Sequence, residues 1–177
     1  VSCGAFFGFG HILMFGPSFA GFAGFAAPST PSEGLLLFLL FQATFCATAA
    51  TIVSGATCGR FALLPYLAFT AVVATLIYPV VGHWAWGAVL FPDNGVWLAE
   101  LGFHDFAGAT VVHGTGAWAA LAAVLILGPR LGKFDPKTGK SQYIPGHSSL
   151  FSICGGMFLL VGWFVFNGGS SFALTND

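Results

Sequence analysis

Charge is what this sequence has least of. Only 6% of its 177 residues are Asp, Glu, Lys or Arg, whereas an ordinary soluble domain carries about 25%. A soluble fold of this size needs a charged exterior to stay dispersed, so that class is excluded. A net charge of −1 and the absence of any basic stripe exclude nucleic acid as a partner. Cysteine is sparse too: Cys3, Cys46, Cys58 and Cys154 stand singly in apolar surroundings. Without CxxC or Cys/His spacing they predict neither a zinc site nor a secreted disulfide framework, and they read as small buried hydrophobes. No basic n-region with a cleavage site is seen. The chain opens on Val1 inside an apolar run and closes on Asp177 just after another, so it is expected to be an internal piece of a longer protein.

What the sequence does have is apolar area. Hydrophobic residues make up 56% of it, 21 of them Phe, and the mean hydropathy is +0.87. The expected fold class is all-α, a polytopic helical membrane protein. Five apolar segments are expected, over residues 1–25, 34–57, 61–83, 105–127 and 148–172. The first is broken by Gly16-Pro17-Ser18, leaving Ala20–Ala27 as loop or interfacial helix. The second is long enough to cross roughly 30 Å of hydrocarbon. Trp84 and Trp86 fall where an aromatic belt lies. Phe91-Pro92-Asp93-Asn94-Gly95 reads as a turn, followed by a short interfacial segment to Gly102.

Orientation follows from the five basic residues. Arg60 follows the second segment; Arg130, Lys133, Lys137 and Lys140 follow the fourth. Two spans apart, these loops share one side, which the positive-inside rule makes cytoplasmic. Loops 58–60 and 128–147 are therefore expected inside. Glu33, Asp93, Glu100 and Asp105 lie on the other side, with no Lys or Arg among them.

Asp105-Phe106-Ala107-Gly108-Ala109-Thr110-Val111-Val112-His113 opens the fourth segment, which stops at Gly128-Pro129-Arg130. Asp105 is placed to cap the helix and oppose its dipole. It is also placed to concentrate cations at the mouth of a path. His113 falls within the hydrocarbon, where an ionised Asp, Lys or Arg costs about 2.5–3.5 kcal/mol on insertion scales and a neutral histidine less. Such a residue faces a cavity or a partner, which points to transport; a structural hydrogen bond is the plainer alternative. His11, His83, His104 and His147 sit near segment ends, so a metal site lacks ligands. Most Phe residues must pack against lipid or core, and a few can form a cation–π cage. An enzyme using Asp105 and His113 as an acid–base pair is disfavoured, because eight helical residues separate them by roughly 12 Å along the axis.

The same stretch, with Phe41-Gln42-Ala43-Thr44-Phe45, His83-Trp84-Ala85-Trp86-Gly87 and Gly162-Trp163-Phe164-Val165-Phe166-Asn167-Gly168-Gly169-Ser170, closely resembles the ammonium transporter (Amt/MEP) family. The resemblance implies the second to sixth of eleven spans, two inverted halves, and homotrimers with one pore per subunit. It implies an external recruitment site at Trp86 and Ser170 with Phe45 beside it, and a stacked gate of Phe45 and Phe166. His113 looks like the first of two pore histidines; the second belongs to the family's later half, absent here. Asp105 looks like the acid that shapes the vestibule. Ala109 departs from the Gly, Ser or Cys usual there, and His11 receives no role. The implied ligand is ammonium or ammonia, with no cofactor and no metal. The setting is a lipid bilayer, the plasma membrane, with a cytoplasmic regulatory protein as a further partner. A Rhesus-type channel and an ammonium sensor are the alternatives, and Trp86 speaks against the first.

Overall fold

The computed structural model describes residues 1–26 and 32–171. The chain divides into two compact units, Val1–Gly128 and Pro129–Asp177. The first begins with α1 (Ser2–Phe15), which relaxes to a π turn at Phe6–Gly10. A small antiparallel hairpin follows, β1 (Ser18–Phe19) against β2 (Ala23–Gly24). Next come α2 (Glu33–Thr57), α3 (Leu63–Trp86), the short α4 (Trp97–Glu100) and α5 (Ala109–Leu127). The second unit holds a hairpin bridged between Phe134 and Ser141, then α6 (Ser149–Gly169). In α2, α3, α5 and α6 length and hydropathy suffice to cross a membrane, and the chain is an all-α integral membrane protein.

Local chemistry accounts for the boundaries. Ser32 caps α2, its hydroxyl accepting from the Leu35 N–H at 3.1 Å, and Ser148 does the same for α6 with Phe151. In α3 a π turn over Val73–Ile77 ends two residues before Pro79, whose missing N–H leaves the Thr75 carbonyl without its usual α-helical donor.

Three features differ from the sequence-based expectation. The first helix ends at Phe15, at the expected break, but beyond Gly16-Pro17 the chain pairs Ser18 with Gly24 and Phe19 with Ala23, where a loop or interfacial helix is expected. Ala27, the end of that stretch, lies outside the described residues. The third helix runs on to Trp86 rather than ending at His83, because nothing in His83-Trp84-Ala85 breaks it before Gly87. The fourth starts at Ala109 and not Asp105, since Gly108 adopts φ +95° and turns the chain just before the helix.

Packing in the first unit depends on close backbone approach. A Cβ on Gly116 of α5 would lie 2.8 Å from the Ala49 carbonyl oxygen of α2. Ala49, Ala50, Val53, Ala119, Ala120 and Ala123 are buried around that crossing. Small residues let helices meet this closely where dispersion drives association. Gly10 plays the same part between α1 and the Ala74 carbonyl of α3, beside an edge-to-face Phe6–Tyr78 pair at 6.2 Å.

Arg60 ties the ends of α2 and α5 together. One guanidinium nitrogen donates to the Ala56 carbonyl at 2.9 Å and another to the Gly128 carbonyl. Both helices present carbonyls with no helical donor there, and a cation also opposes the negative ends of their dipoles. Arg60→Ala is expected to destabilise the protein by about 2 kcal/mol, the scale of hydrogen bonds to a charged group. A lower thermal midpoint in detergent would register it. Arg60→Lys should recover less than half, because a point-like ammonium cannot span both carbonyls.

Candidate functional site

The site grows from one glycine. With φ +95° and ψ 23°, Gly108 occupies the left-handed region and aims the first N–H groups of α5 back at Asp105. Oδ1 of Asp105 accepts from the N–H of Gly108 at 2.8 Å and of Ala109 at 2.9 Å. Oδ2 accepts from Thr110 at 2.9 Å and Val111 at 2.8 Å. Asp105 thus takes every N–H from residues 108 to 111 and is buried. The single capping bond that a lone N-cap supplies understates this. With both oxygens so engaged, the acid offers a nearby charge more readily than a coordinating ligand.

The main chain of Asp105 completes the junction. Its carbonyl accepts from Trp86 Nε1–H at 2.7 Å, tying the end of α3 to the start of α5. The Trp86 indole meets the Phe45 ring edge-on, centroids 6.0 Å apart at 87°, and Phe45 meets Phe41 at 4.7 Å. A side chain on Gly108 would run into Val112 and come within 3.3 Å of the Trp86 ring, so only glycine lets the indole settle here. The structure thus brings Phe45, Trp86 and Asp105 together, joining α2, α3 and α5. Such a cluster offers a cation aromatic π faces beside a buried carboxylate.

His113 stands within the π stretch Ala109–Gly114 of the same helix and is half-buried. The Gly108 carbonyl accepts from Val112 N–H at 2.8 Å and from His113 N–H at 3.0 Å, the shared acceptor of an α-to-π transition. π turns of this kind recur at functional sites. Phe166 and Ser170 lie in the second unit, at the end of α6, where the Ser170 hydroxyl donates to the Phe166 carbonyl at 2.7 Å. Its oxygen keeps acceptor capacity. Among the described residues no three His, Cys, Asp or Glu side chains converge as a metal cluster.

His83 is the residue that sequence reasoning passes over. It is fully buried, with Nδ1 2.8 Å from the Met14 carbonyl and Nε2 3.0 Å from the Ser18 hydroxyl. A signal exists in its flanking glycines. A Cβ on Gly87 would lie 2.6 Å from His83 Nδ1, and one on Gly82 would strike Met14.

Residues 1–177 match the profile of the Ammonium Transporter Family. Ammonium transporter Amt2 of Archaeoglobus fulgidus is 42% identical over 181 residues, covering 94% of this chain and 37% of its own length. Amt2 of Haloferax mediterranei is 47% identical over 134 residues, 76% of this chain and 28% of the relative. Among solved structures, one titled Sensor Amt Protein superposes with a TM-score of 0.91 at 43% identity, over 99% of this chain and 45% of the other. Candida albicans Mep2 gives 0.75 at 34% identity, over 96% and 38%. The chain spans about a third of the length of the curated relatives it matches. Over the whole of the length given, this chain belongs to the ammonium transporter family.

Proposed function

We propose that the full-length protein moves ammonium or ammonia across the plasma membrane, as a homotrimer with one pore per subunit. Trp86, Ser170, Phe45 and Asp105 form the external recruitment site in this reading. Phe45 and Phe166 form the gate, and His113 stands in the pore. The five spans this segment contributes are built on α1, α2, α3, α5 and α6. Loops 58–60 and 128–147 face the cytoplasm, where a regulatory protein has access.

The observation that carries the reading is the contact of Trp86 with both the Phe45 ring and the Asp105 main chain. Ammonium sheds water at a vestibule that returns π faces and a hydroxyl oxygen. A bare cation is costly in the dry passage below, so the proton separates from ammonia at the level of the histidine. Neutral imidazole both donates and accepts, which suits it to relay that proton.

The test is Trp86→Leu in the full-length protein. Removing a desolvated cation–π contact should raise the half-saturating ammonium concentration about tenfold. Trp86→Phe, which restores a π face, should recover part of the shift. A concentration curve identical to wild type in folded Trp86→Leu protein removes Trp86 from the recruitment site.

A second reading is favoured by the TM-score of 0.91 to a structure titled as a sensor. In that reading the same fold couples ammonium binding to a signalling domain. Full-length protein that binds ammonium but moves none across a sealed vesicle would favour it.

A further inference from the structure

We propose that His83 is a positioning residue for Trp86, and that Ser18 and Asn94 complete a hydrogen-bonded brace around the last turn of α3. This rests on the reading of Trp86 as the cation site. His83 lies three residues before Trp86, about one turn along the same helix. A carbonyl can only accept, so the 2.8 Å contact with Met14 places a proton on Nδ1. In the neutral ring Nε2 is then an acceptor, and the Ser18 hydroxyl donates to it at 3.0 Å in preference to the Gly95 carbonyl, which lies farther off at 3.4 Å. One ring thereby holds the end of α1 and the first strand of the hairpin against α3.

Asn94 closes the brace from the loop after α3. Its side-chain N–H groups donate to the carbonyls of Gly16 and Gly87, both at 3.0 Å. Its oxygen accepts from the Ser18 N–H at 2.9 Å. Every polar atom of the amide is used, and one of the two carbonyls it holds follows Trp86 directly in sequence. Gly87 cannot take a side chain without meeting the His83 ring, so the turn and the imidazole are fitted to each other.

The indole itself is bonded to neither His83 nor Asn94: its N–H goes to the Asp105 carbonyl and its ring lies perpendicular to that of Phe45. The brace can therefore reach the cation site only by fixing where α3 ends. Trp84, whose N–H donates to the Phe22 carbonyl at 3.1 Å, keeps the hairpin attached independently of His83. Loss of the brace should loosen the indole without releasing the hairpin.

The experiment uses full-length protein in proteoliposomes, with transport currents recorded against ammonium chloride concentration and normalised to folded protein. His83→Leu and Asn94→Ala should each raise the half-saturating concentration about fivefold or more, with the maximal rate within about twofold of wild type. His83→Asn, whose amide N–H can replace Nδ1–H toward Met14, should restore most of the affinity. In a Trp86→Leu background His83→Leu should add no further shift. An unchanged half-saturating concentration in folded His83→Leu and Asn94→Ala overturns the proposal, as does a fall in maximal rate alone. If His83→Leu fails to fold, Asn94→Ala and Ser18→Ala decide the matter. Failure of all three to fold assigns the network to folding alone and overturns the proposal as well. A Trp86→Leu curve identical to wild type defeats the recruitment reading, whereas a shift there without one at His83 or Asn94 defeats only the brace.

Discussion

Asp105→Ala is expected to leave little folded protein and no measurable ammonium transport. The carboxylate accepts from the backbone N–H groups of Gly108, Ala109, Thr110 and Val111 at 2.8–2.9 Å. These are donors of the first turn of α5, which no intrahelical carbonyl can serve. Leaving a buried donor unsatisfied costs about 1–3 kcal/mol, so losing the shared acceptor should cost roughly 4 kcal/mol or more. That is a large part of an ordinary folding free energy. The damage should spread, because the Asp105 carbonyl holds the Trp86 indole and moves with the same loop. Asp105→Asn separates charge from geometry. Its one oxygen can still serve two N–H groups, but its NH2 confronts the other pair donor to donor. Recovery should therefore be partial. Yield by size-exclusion chromatography and thermal scans measures the fold; vesicle currents measure transport. Normal yield and stability in Asp105→Ala would show that water can replace the carboxylate.

His113→Ala is expected to act in the opposite way, sparing the fold and removing function. The side chain is half-buried and emerges from a π turn held by backbone bonds to the Gly108 carbonyl, none of which alanine disturbs. Yield and melting behaviour should stay near wild type. Ammonium-driven transport should fall about 100-fold or more, the scale on which a positioned proton-transfer group acts. A residual current should differ in its selectivity among monovalent cations, since in the proposed mechanism it is the imidazole that separates the proton from ammonia. Uptake in a transport-deficient host and reconstituted currents read the two effects. Wild-type uptake with unchanged selectivity would exclude His113 from the path.

Some of this architecture is legible in the sequence for physical reasons. Long runs such as Glu33–Thr57 and Ser149–Gly169 announce themselves by hydropathy, because a bilayer demands that length and composition. Asp105 before an apolar run is legible as a cap, though as one bond and not four. The difference lies in the φ of Gly108, which a glycine permits but does not declare. The π turns at Phe6–Gly10, Val73–Ile77 and Ala109–Gly114 leave no mark in apolar sequence, where a one-residue change of register looks like ordinary helix. The hairpin at Ser18–Phe19 and Ala23–Gly24 is too short for alternation to reveal. His83 is hidden for another reason. Its partners Met14 and Ser18 lie 69 and 65 residues away in the chain, and only the packing of α1 on α3 brings them within reach. The Phe45–Trp86 pair is hidden among 21 Phe and 5 Trp for the same reason, and only the family resemblance sets Phe45 beside Trp86.

The meeting of Gly116 with the Ala49 carbonyl has a mechanical consequence. A Cβ there would also meet the Ile52 side chain at 3.0 Å, so the crossing has little slack on either side. Sliding one rod past the other by about a turn would bring the methyl of Ala119 or Ala120 into a gap that admits only hydrogen. The crossing therefore resists slippage. Rearrangement of this unit is expected first in the rings and loops mounted on it.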